Sequence, residues 1–372
     1  MNIPLFKVYM AEDASEALEP VLKSGYIGQG PKVEEFENCL CRYLGNPCVA
    51  TVNSGTSALH LALHMVKGRA AGRDEVITTP LTCTATNFPI VANGFKIRWA
   101  DVDPQTCNVD LQDVRRKIGP NTAAIMVVHW GGYPVDLDEL SDIQDQCHEL
   151  YGYRPAVIED CAHAFGAEYK GKLLGNHGNV CMFSFQAIKH LTAGDGGCLV
   201  SPSYSEHQQT KLLRWYGLDR EKSPDMRCEQ NVQGWGFKFH MNDIAATIGI
   251  QNFAHISDIL ETHRENGKFY LESLEGIPGI TLLEDKPDRE SAYWIYTIRV
   301  KNRDGFIKKM NEHGIAVSKV HDRNDKHACL HEFRVALPNT DKICSDMICI
   351  PSGWWVEQEE REYIVDCIQK GW

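Results

Sequence analysis

The chain has 372 residues, 43% of them hydrophobic and 24% charged, a balance typical of a globular protein with one large and one smaller domain. Its net charge of -12 and its lack of clustered Lys and Arg disfavour nucleic acid as the main partner. No apolar run reaches the roughly 20 residues that cross a bilayer, and the N-terminus lacks a secretory pattern, so we expect a cytoplasmic protein without a membrane partner.

The 14 cysteines are unusual for such a protein. Without a secretory signal they are interpreted as reduced thiols rather than a disulfide framework. The sequence contains no pair of CxxC motifs, and Cys39 and Cys41 stand without a nearby histidine. We therefore predict no metal site.

From the N-terminus to about residue 200, strand-like and helical stretches alternate. The pattern predicts helices over Ala14–Lys23, from Pro31 to Gly45, from Ala58 to Val66, near Ala85–Ala92, and over Leu111–Ile118 and Leu137–Tyr151. Strands are predicted at EVITTP, KIRWADVD, TAAIMVVHW, Ala156–Ile158, MFSF and GGCLVS. Such alternation is typical of a mostly parallel sheet covered by helices on both faces.

The second part of the chain is less regular. Residues 201–240 form a polar excursion, and long excursions in compact proteins are often functional. Helices are predicted over Met241–His255, Asp258–Leu274, Asp304–His313 and Glu357–Gln369, with strands at YWIYTIRV and IAVSKV. We divide the chain into a large domain, residues 1–254, and a small α+β domain, residues 255–372.

A small-residue turn after the strand CVATV opens a helix. The free N–H groups of Gly55, Thr56 and Ser57 at a helix N-terminus would bind an anion. The alternative is an ordinary cap made by Ser54 or Thr56.

One lysine, Lys189, stands in FSFQAIKHLTAGDGG, between an apolar run and a glycine-rich turn. Upstream, the strand AVIED delivers Asp160 to its carboxyl end. Pyridoxal phosphate needs a lysine for its aldehyde, a carboxylate for its ring nitrogen and donors for its phosphate. Lys189, Asp160 and a set of phosphate donors from Gly55, Thr56 and Ser184 fit these needs. For Lys189 alone, a surface position remains the alternative.

Five strings in this order carry a family resemblance: SGYIGQGPKVEEFE, NSGTSALHLAL, VIEDCAHAFGAEYKGKLLGNHG, FSFQAIKHLTAGDGG and GFKFHMNDIAATIG. Together they resemble the DegT/DnrJ/EryC1/StrS sugar aminotransferases, over nearly the whole chain. The resemblance implies an α/β fold of the aspartate-aminotransferase type (fold type I), with a mostly parallel central sheet in the large domain. It also implies the cofactor pyridoxal 5'-phosphate.

The resemblance assigns roles by position. Lys189 matches the lysine that binds the cofactor aldehyde, Asp160 the aspartate at the ring nitrogen, and Ser184 the serine on the phosphate. Gly55 and Thr56 match the phosphate-binding turn.

Further positions match less closely. His163 falls near the cofactor's ring hydroxyl, with a structural histidine as the alternative. Lys238 would contact the phosphate of a partner subunit, which implies a homodimer with shared active sites. His321 and Asn324, in VHDRNDKHACLH, are candidates for sugar contacts. Cys83 replaces the usual aromatic residue in TTPLTCTATN and leaves the ring's stacking partner open.

The family's activity is transfer of an amino group from an amino acid, L-glutamate by analogy, to a nucleotide-linked 4-keto-6-deoxy or 3-keto hexose. The product would be an amino sugar for a polysaccharide or a secondary metabolite. A sugar dehydratase on the same fold is one alternative, although members of that branch carry His where this chain has Lys189. A non-catalytic sugar-nucleotide regulator is the other.

Overall fold

The computed structural model describes residues 1–221 and 229–372. Its helices, in chain order, are α1 Ala14–Lys23, α2 Pro31–Leu44, α3 Gly55–Arg69, α4 Thr84–Ala92, α5 Leu111–Lys117, α6 Leu137–Tyr151, α7 Tyr204–Leu213, α8 Asp243–Phe253, α9 Ile256–Ser273, α10 Arg303–Glu312, α11 Pro338–Asp346 and α12 Gln358–Gln369. Within the described residues, no helix has the length and apolar character that a bilayer crossing requires.

The strands are β1 Val49–Val52, β2 Glu75–Thr78, β3 Lys96–Trp99, β4 Thr122–Val128, β5 Ala156–Asp160, β6 Glu168–Tyr169, β7 Lys172–Leu173, β8 Val180–Ser184, β9 Gly197–Val200, β10 Ile280–Leu282, β11 Arg289–Glu290, β12 Tyr296–Val300 and β13 Met347–Ile350. Seven of them form the central sheet in the order β1-β9-β8-β5-β4-β2-β3. Only β9 runs antiparallel to its neighbours in this sheet. The predicted mostly parallel α/β architecture is confirmed.

Both faces of the central sheet are covered by helices. Along β5, Val157 packs into the cluster that includes residues of α2, α5, α6 and α8, while Ile158 packs into the cluster built with α3 and α4. Successive strand side chains point to opposite faces, so a strand buried on both sides needs consecutive apolar residues. The apolar runs predicted as strands meet this requirement.

The C-terminal part of the chain forms its own three-stranded sheet, β10-β12-β13, with all neighbours antiparallel. A separate apolar cluster joins this sheet to α9, α10 and α12. Ile3 also packs in this cluster, and its N–H donates to the carbonyl of Gly314. The N-terminal arm therefore contacts the C-terminal layer. The proposed division at residues 254 and 255 lies between α8 and α9.

Two predictions for local structure differ from the observed fold. The segment IAVSKV is not a strand: Ile315 and Ser318 form only isolated bridges, to Ile3 and Cys349. The polar excursion contains helix α7, which Ser203 caps by accepting a hydrogen bond from the N–H of Glu206. Residues 222–228 of the excursion lie outside the described part of the chain.

Chain direction brings several strand ends to one edge of the central sheet. β2, β4, β5 and β8 end at this carboxyl edge, and β1 runs the same way because both β1 and β8 are antiparallel to β9. Ligands of open α/β sheets bind outside the carboxyl ends of the strands. The candidate site lies here.

Candidate active site

A cavity of about 480 Å³ opens at the carboxyl edge of the central sheet. Six of the residues predicted from the sequence line it: Gly55, Thr56, Asp160, His163, Ser184 and Lys189. His321, from the C-terminal part of the chain, lines it as well. Side chains separated by more than a hundred residues in sequence thus share one space.

Asp160 ends β5 and is 3% exposed. Its Oδ2 accepts a hydrogen bond from Thr86 Oγ1 at 2.7 Å, and its Oδ1 accepts one from the N–H of Ala162 at 3.0 Å. Burial raises the pKa of the Asp160 carboxyl, while these donors and the Lys189 charge oppose the rise. A buried carboxylate whose hydrogen-bond donors are neutral is suited to a cationic ligand atom.

The turn between β1 and α3 forms a narrow cradle. Ser54 caps α3 by accepting a hydrogen bond from the N–H of Ser57. Because Gly55 and Thr56 are the first residues of the helix, no helical carbonyl is placed to accept from their N–H groups. A Cβ on Gly55 would lie 2.9 Å from Met182 Sδ and 3.1 Å from Ser184 Cβ. The absence of a side chain at residue 55 therefore leaves room for an anion beside Ser184.

Lys189 follows β8 in a turn, and its N–H donates to the carbonyl of Gln186 at 2.9 Å. Its Nζ lies 3.4 Å from the centroid of the Trp294 ring. Burial lowers the pKa of Lys189 to about 7, although Asp160 opposes this shift. A large fraction of the amine is therefore neutral near pH 7, as a nucleophile or a proton acceptor requires.

Two histidines stand beside the lysine. The Nε2 atoms of His163 and His321 are 3.4 Å apart, and the two ring planes differ by 7°. Burial lowers the pKa of His163 well below its usual range and that of His321 to about 4, so both rings are neutral near pH 7. His163 Nδ1 is buried and has no hydrogen-bond partner within the described residues. This atom is available to a bound ligand.

Two other predicted site residues lie away from the cavity wall. Lys238 is exposed, and its carbonyl accepts a hydrogen bond from Asn53 Nδ2 at 3.3 Å. Asn324 is buried, and its amide donates to the carbonyl of Thr82 at 2.7 Å. In this chain alone, Asn324 holds the turn that follows β2.

Sequence reasoning missed three residues of the site. Trp294 and Phe6 line the cavity and stack on each other, with ring centroids 5.1 Å apart. Thr86 fixes Asp160, and it lies in the string TTPLTCTATN, whose small polar residues were a usable signal. No motif marks Phe6 or Trp294. Cys83 lines the cavity at the start of α4, so the aromatic side chains of the wall come from other elements.

Behind the cavity, His129 and Glu159 form a buried pair. His129 Nε2 donates to Glu159 Oε2 at 2.9 Å, because its Nδ1 accepts from the N–H of Val135. Asn179 donates to the other carboxylate oxygen. Cys161 lies within 4.8 Å of both groups, but the hydrogen bonds already account for this pair. His190 is also buried, and its Nε2 forms a hydrogen bond with the carbonyl oxygen of Ala292 at 2.9 Å.

Residues 8–369 match the DegT/DnrJ/EryC1/StrS aminotransferase family. The chain belongs to this family. It is therefore an aminotransferase, and the cofactor of the DegT/DnrJ/EryC1/StrS enzymes is pyridoxal phosphate.

Two solved structures are closely similar to this family member. AtS13 from Actinomadura melliaura is 49% identical with a TM-score of 0.97, and the alignment covers 100% of this chain and 99% of that one. The sugar aminotransferase CalS13 from Micromonospora echinospora is 45% identical with a TM-score of 0.96, and both chains are covered completely. The spore coat polysaccharide biosynthesis protein SpsC of Bacillus subtilis is 31% identical over 83% of this chain and 77% of its own. The family and these structures confirm fold type I.

The cavity fits the family's cofactor. The cradle at Gly55 offers N–H groups for a phosphate, the buried Asp160 carboxylate suits a protonated ring nitrogen, and His163 Nδ1 is free for a polar ring substituent. Lys189 supplies an amine with a lowered pKa. Together these residues provide the phosphate donors, the carboxylate and the amine that pyridoxal phosphate requires.

Proposed function

We propose that this sugar aminotransferase moves an amino group from L-glutamate to the ketone of a nucleotide-linked 4-keto-6-deoxy or 3-keto hexose. The product is an amino sugar that a polysaccharide or secondary-metabolite pathway consumes. The observation that carries the proposal is the pair Lys189 and Asp160, which share one cavity and influence each other's charge. The name of CalS13, a sugar aminotransferase, supports the substrate class.

Each residue of the site has a proposed task. Gly55, Thr56 and Ser184 bind the phosphate through backbone and hydroxyl donors, and Asp160 keeps the ring nitrogen protonated. When bound, pyridoxal phosphate supplies an electron sink for the carbanion that forms at the amino carbon. Lys189 Nζ would hold the aldehyde, and its neutral amine would accept a proton and return it.

The cavity wall is consistent with a sugar substrate. Phe6 and His321 give it flat faces of the kind that pack against carbohydrate C–H groups. His321 is our candidate for a sugar contact. We propose that Lys238 of a second subunit completes the phosphate site, which makes the active form a homodimer. We place the reaction in the cytoplasm.

A panel of nucleotide-linked keto sugars tests the proposal. Purified protein with pyridoxal phosphate, L-glutamate and the right sugar should release 2-oxoglutarate in step with the amino sugar. Lys189→Ala should remove the visible absorption band of the bound cofactor and the activity. Full transamination by Lys189→Ala would overturn the role of the lysine. Loss of water from the sugar without 2-oxoglutarate would identify a dehydratase instead.

A further inference from the structure

Trp294 is bound to the catalytic segment in two ways. Its indole N–H donates to the carbonyl of Ile188 at 2.8 Å, and Ile188 directly precedes the lysine. Its ring centroid lies 3.4 Å from Lys189 Nζ. The backbone and the amine of the same segment therefore both contact one indole.

The ring itself has little freedom to move. Trp294 is 2% exposed, stacks on His163 with centroids 3.9 Å apart and planes 22° apart, and stacks on Phe6 at 5.1 Å. A rigid indole is a fixed electrostatic feature, because the face of the ring is negative and attracts a cation held above it.

We propose that Trp294 is a positioning residue for the lysine: its indole face holds the Lys189 ammonium whenever the amine is not bonded to the cofactor. The ring then favours the protonated amine, in opposition to burial, and so adjusts the pH at which Lys189 becomes a base. This inference deepens the proposed function, since it rests on Lys189 as the proton carrier.

Other groups also act on the amine. The titratable side chains that face it or share its cavity are Asp160, Cys83, His163, His321 and Asp195. Asp160 also favours the ammonium, while the two imidazoles are neutral near pH 7. The experiment must therefore change the indole's electrostatics and leave these groups in place.

Fluorinated tryptophans at residue 294 achieve this. Ring fluorines weaken the negative face of the indole with little change in its shape, and incorporation at a single codon spares the other seven tryptophans. In the cofactor-free full-length protein, the acetylation rate of Lys189 at increasing pH, measured by mass spectrometry of its peptide, gives the pKa of the amine. Exposed Lys308 serves as the internal reference.

We expect the Lys189 pKa to fall steadily with each added fluorine, by roughly half to one and a half pH units over the series. The same substitutions at Trp99, a buried core tryptophan in the cluster with α3 and α4, should leave the Lys189 pKa unchanged. A Lys189 pKa that does not change along the Trp294 series would overturn the proposal and would mean that the indole contacts the lysine only sterically. The measurement needs neither sugar nor amino donor, so it is independent of whether the proposed reaction occurs.

Discussion

At the scale of single residues, Asp160 and Glu159 form a matched pair. They are neighbours on β5 and both are buried, but Asp160 faces the cavity while Glu159 faces His129. Asp160→Asn should lower the transamination rate about 100- to 1000-fold, because the ring nitrogen loses its charged partner. The rate is measured at saturating cofactor.

The control is Glu159→Gln, which makes the same change of carboxylate to amide one residue away. It should lower stability but keep most of the activity, since Glu159 does not line the cavity. Equal loss of activity in the two variants would mean that Asp160 acts through the fold and not through the cofactor.

Burial of Lys189 also has a consequence for stability. Its folded pKa of about 7 lies below its unfolded value of about 10.4, so between these values the unfolded chain binds more protons and stability rises with pH. Lys189→Met removes the charged amine and with it the free-energy cost of burying that charge. In the cofactor-free protein, its gain in unfolding free energy over wild type should be largest below pH 7.

We expect this gain to shrink by roughly 2 kcal/mol between about pH 6 and about pH 9. Urea unfolding at several pH values measures it, with Lys308→Met as the exposed-lysine control. A difference that stays constant with pH would show that the amine is not desolvated in the folded state.

The site residues that could be predicted from the sequence lie within recognisable local motifs. Lys189, Asp160 and Ser184 stand at strand ends or turns within recognisable strings, and the cavity contains all three. Trp294 and Phe6 belong to the loop before β12 and to the N-terminal arm. Nothing in their local sequence shows that the two segments meet, because that contact depends on how the C-terminal layer packs on the sheet.

At the scale of elements, helix α3 provides both a test site and its control. Gly55→Ala would force a Cβ against Met182 and Ser184, whereas a Cβ at Gly68 in the same helix would have no atom of the described residues within 4 Å. We expect Gly55→Ala to weaken cofactor binding roughly 10-fold or more, as titration of the cofactor-free protein would show.

Gly68→Ala should leave cofactor affinity unchanged and stabilise the protein by about 0.5 to 1 kcal/mol, because Gly is a poor helix former. Wild-type affinity in Gly55→Ala would remove the turn at α3 from the proposed phosphate site.

The loop of residues 320–331 contains two residues with different surroundings. Asn324 donates to Thr82 and accepts from Asn87, while His321 lines the cavity. We expect Asn324→Ala to cost about 1 to 3 kcal/mol of unfolding free energy through the unsatisfied carbonyl and amide it leaves. His321→Ala should instead raise the KM for the sugar at nearly unchanged stability. The reverse pattern would make Asn324 the sugar contact.

Helix bounds were the most predictable feature of the fold. The predicted and observed ranges agree for α1 and α6. For α6 both ends carry a local signal, since Asp136 caps its start and the left-handed Gly152 follows its last residue. A strand depends on a partner far away in sequence. The segment IAVSKV has strand-like residues, but only isolated bridges form there because no strand among residues 1–221 and 229–372 lies alongside it over its length.

At the scale of the whole molecule, several large apolar side chains are exposed. Trp235 and Tyr26 are 68% and 52% exposed, and Tyr216 and Ile27 are also well exposed. Large exposed apolar side chains are enriched at protein–protein interfaces. Lys238 follows Trp235 on the same segment, which supports the proposal that a second subunit docks there.

Mixed dimers test whether Lys238 acts on the partner's site. Lys189→Ala and Lys238→Ala proteins should each be inactive or strongly impaired as homodimers. When they are unfolded together and refolded as a mixture, a heterodimer contains one site with Lys189 from one subunit and Lys238 from the other. Random mixing in equal amounts should restore about a quarter of the wild-type activity. If Lys238 served its own subunit, every site would lack one of the two lysines, and the mixture would stay at the average of its parents. Light scattering that shows an active monomer would contradict the shared site directly.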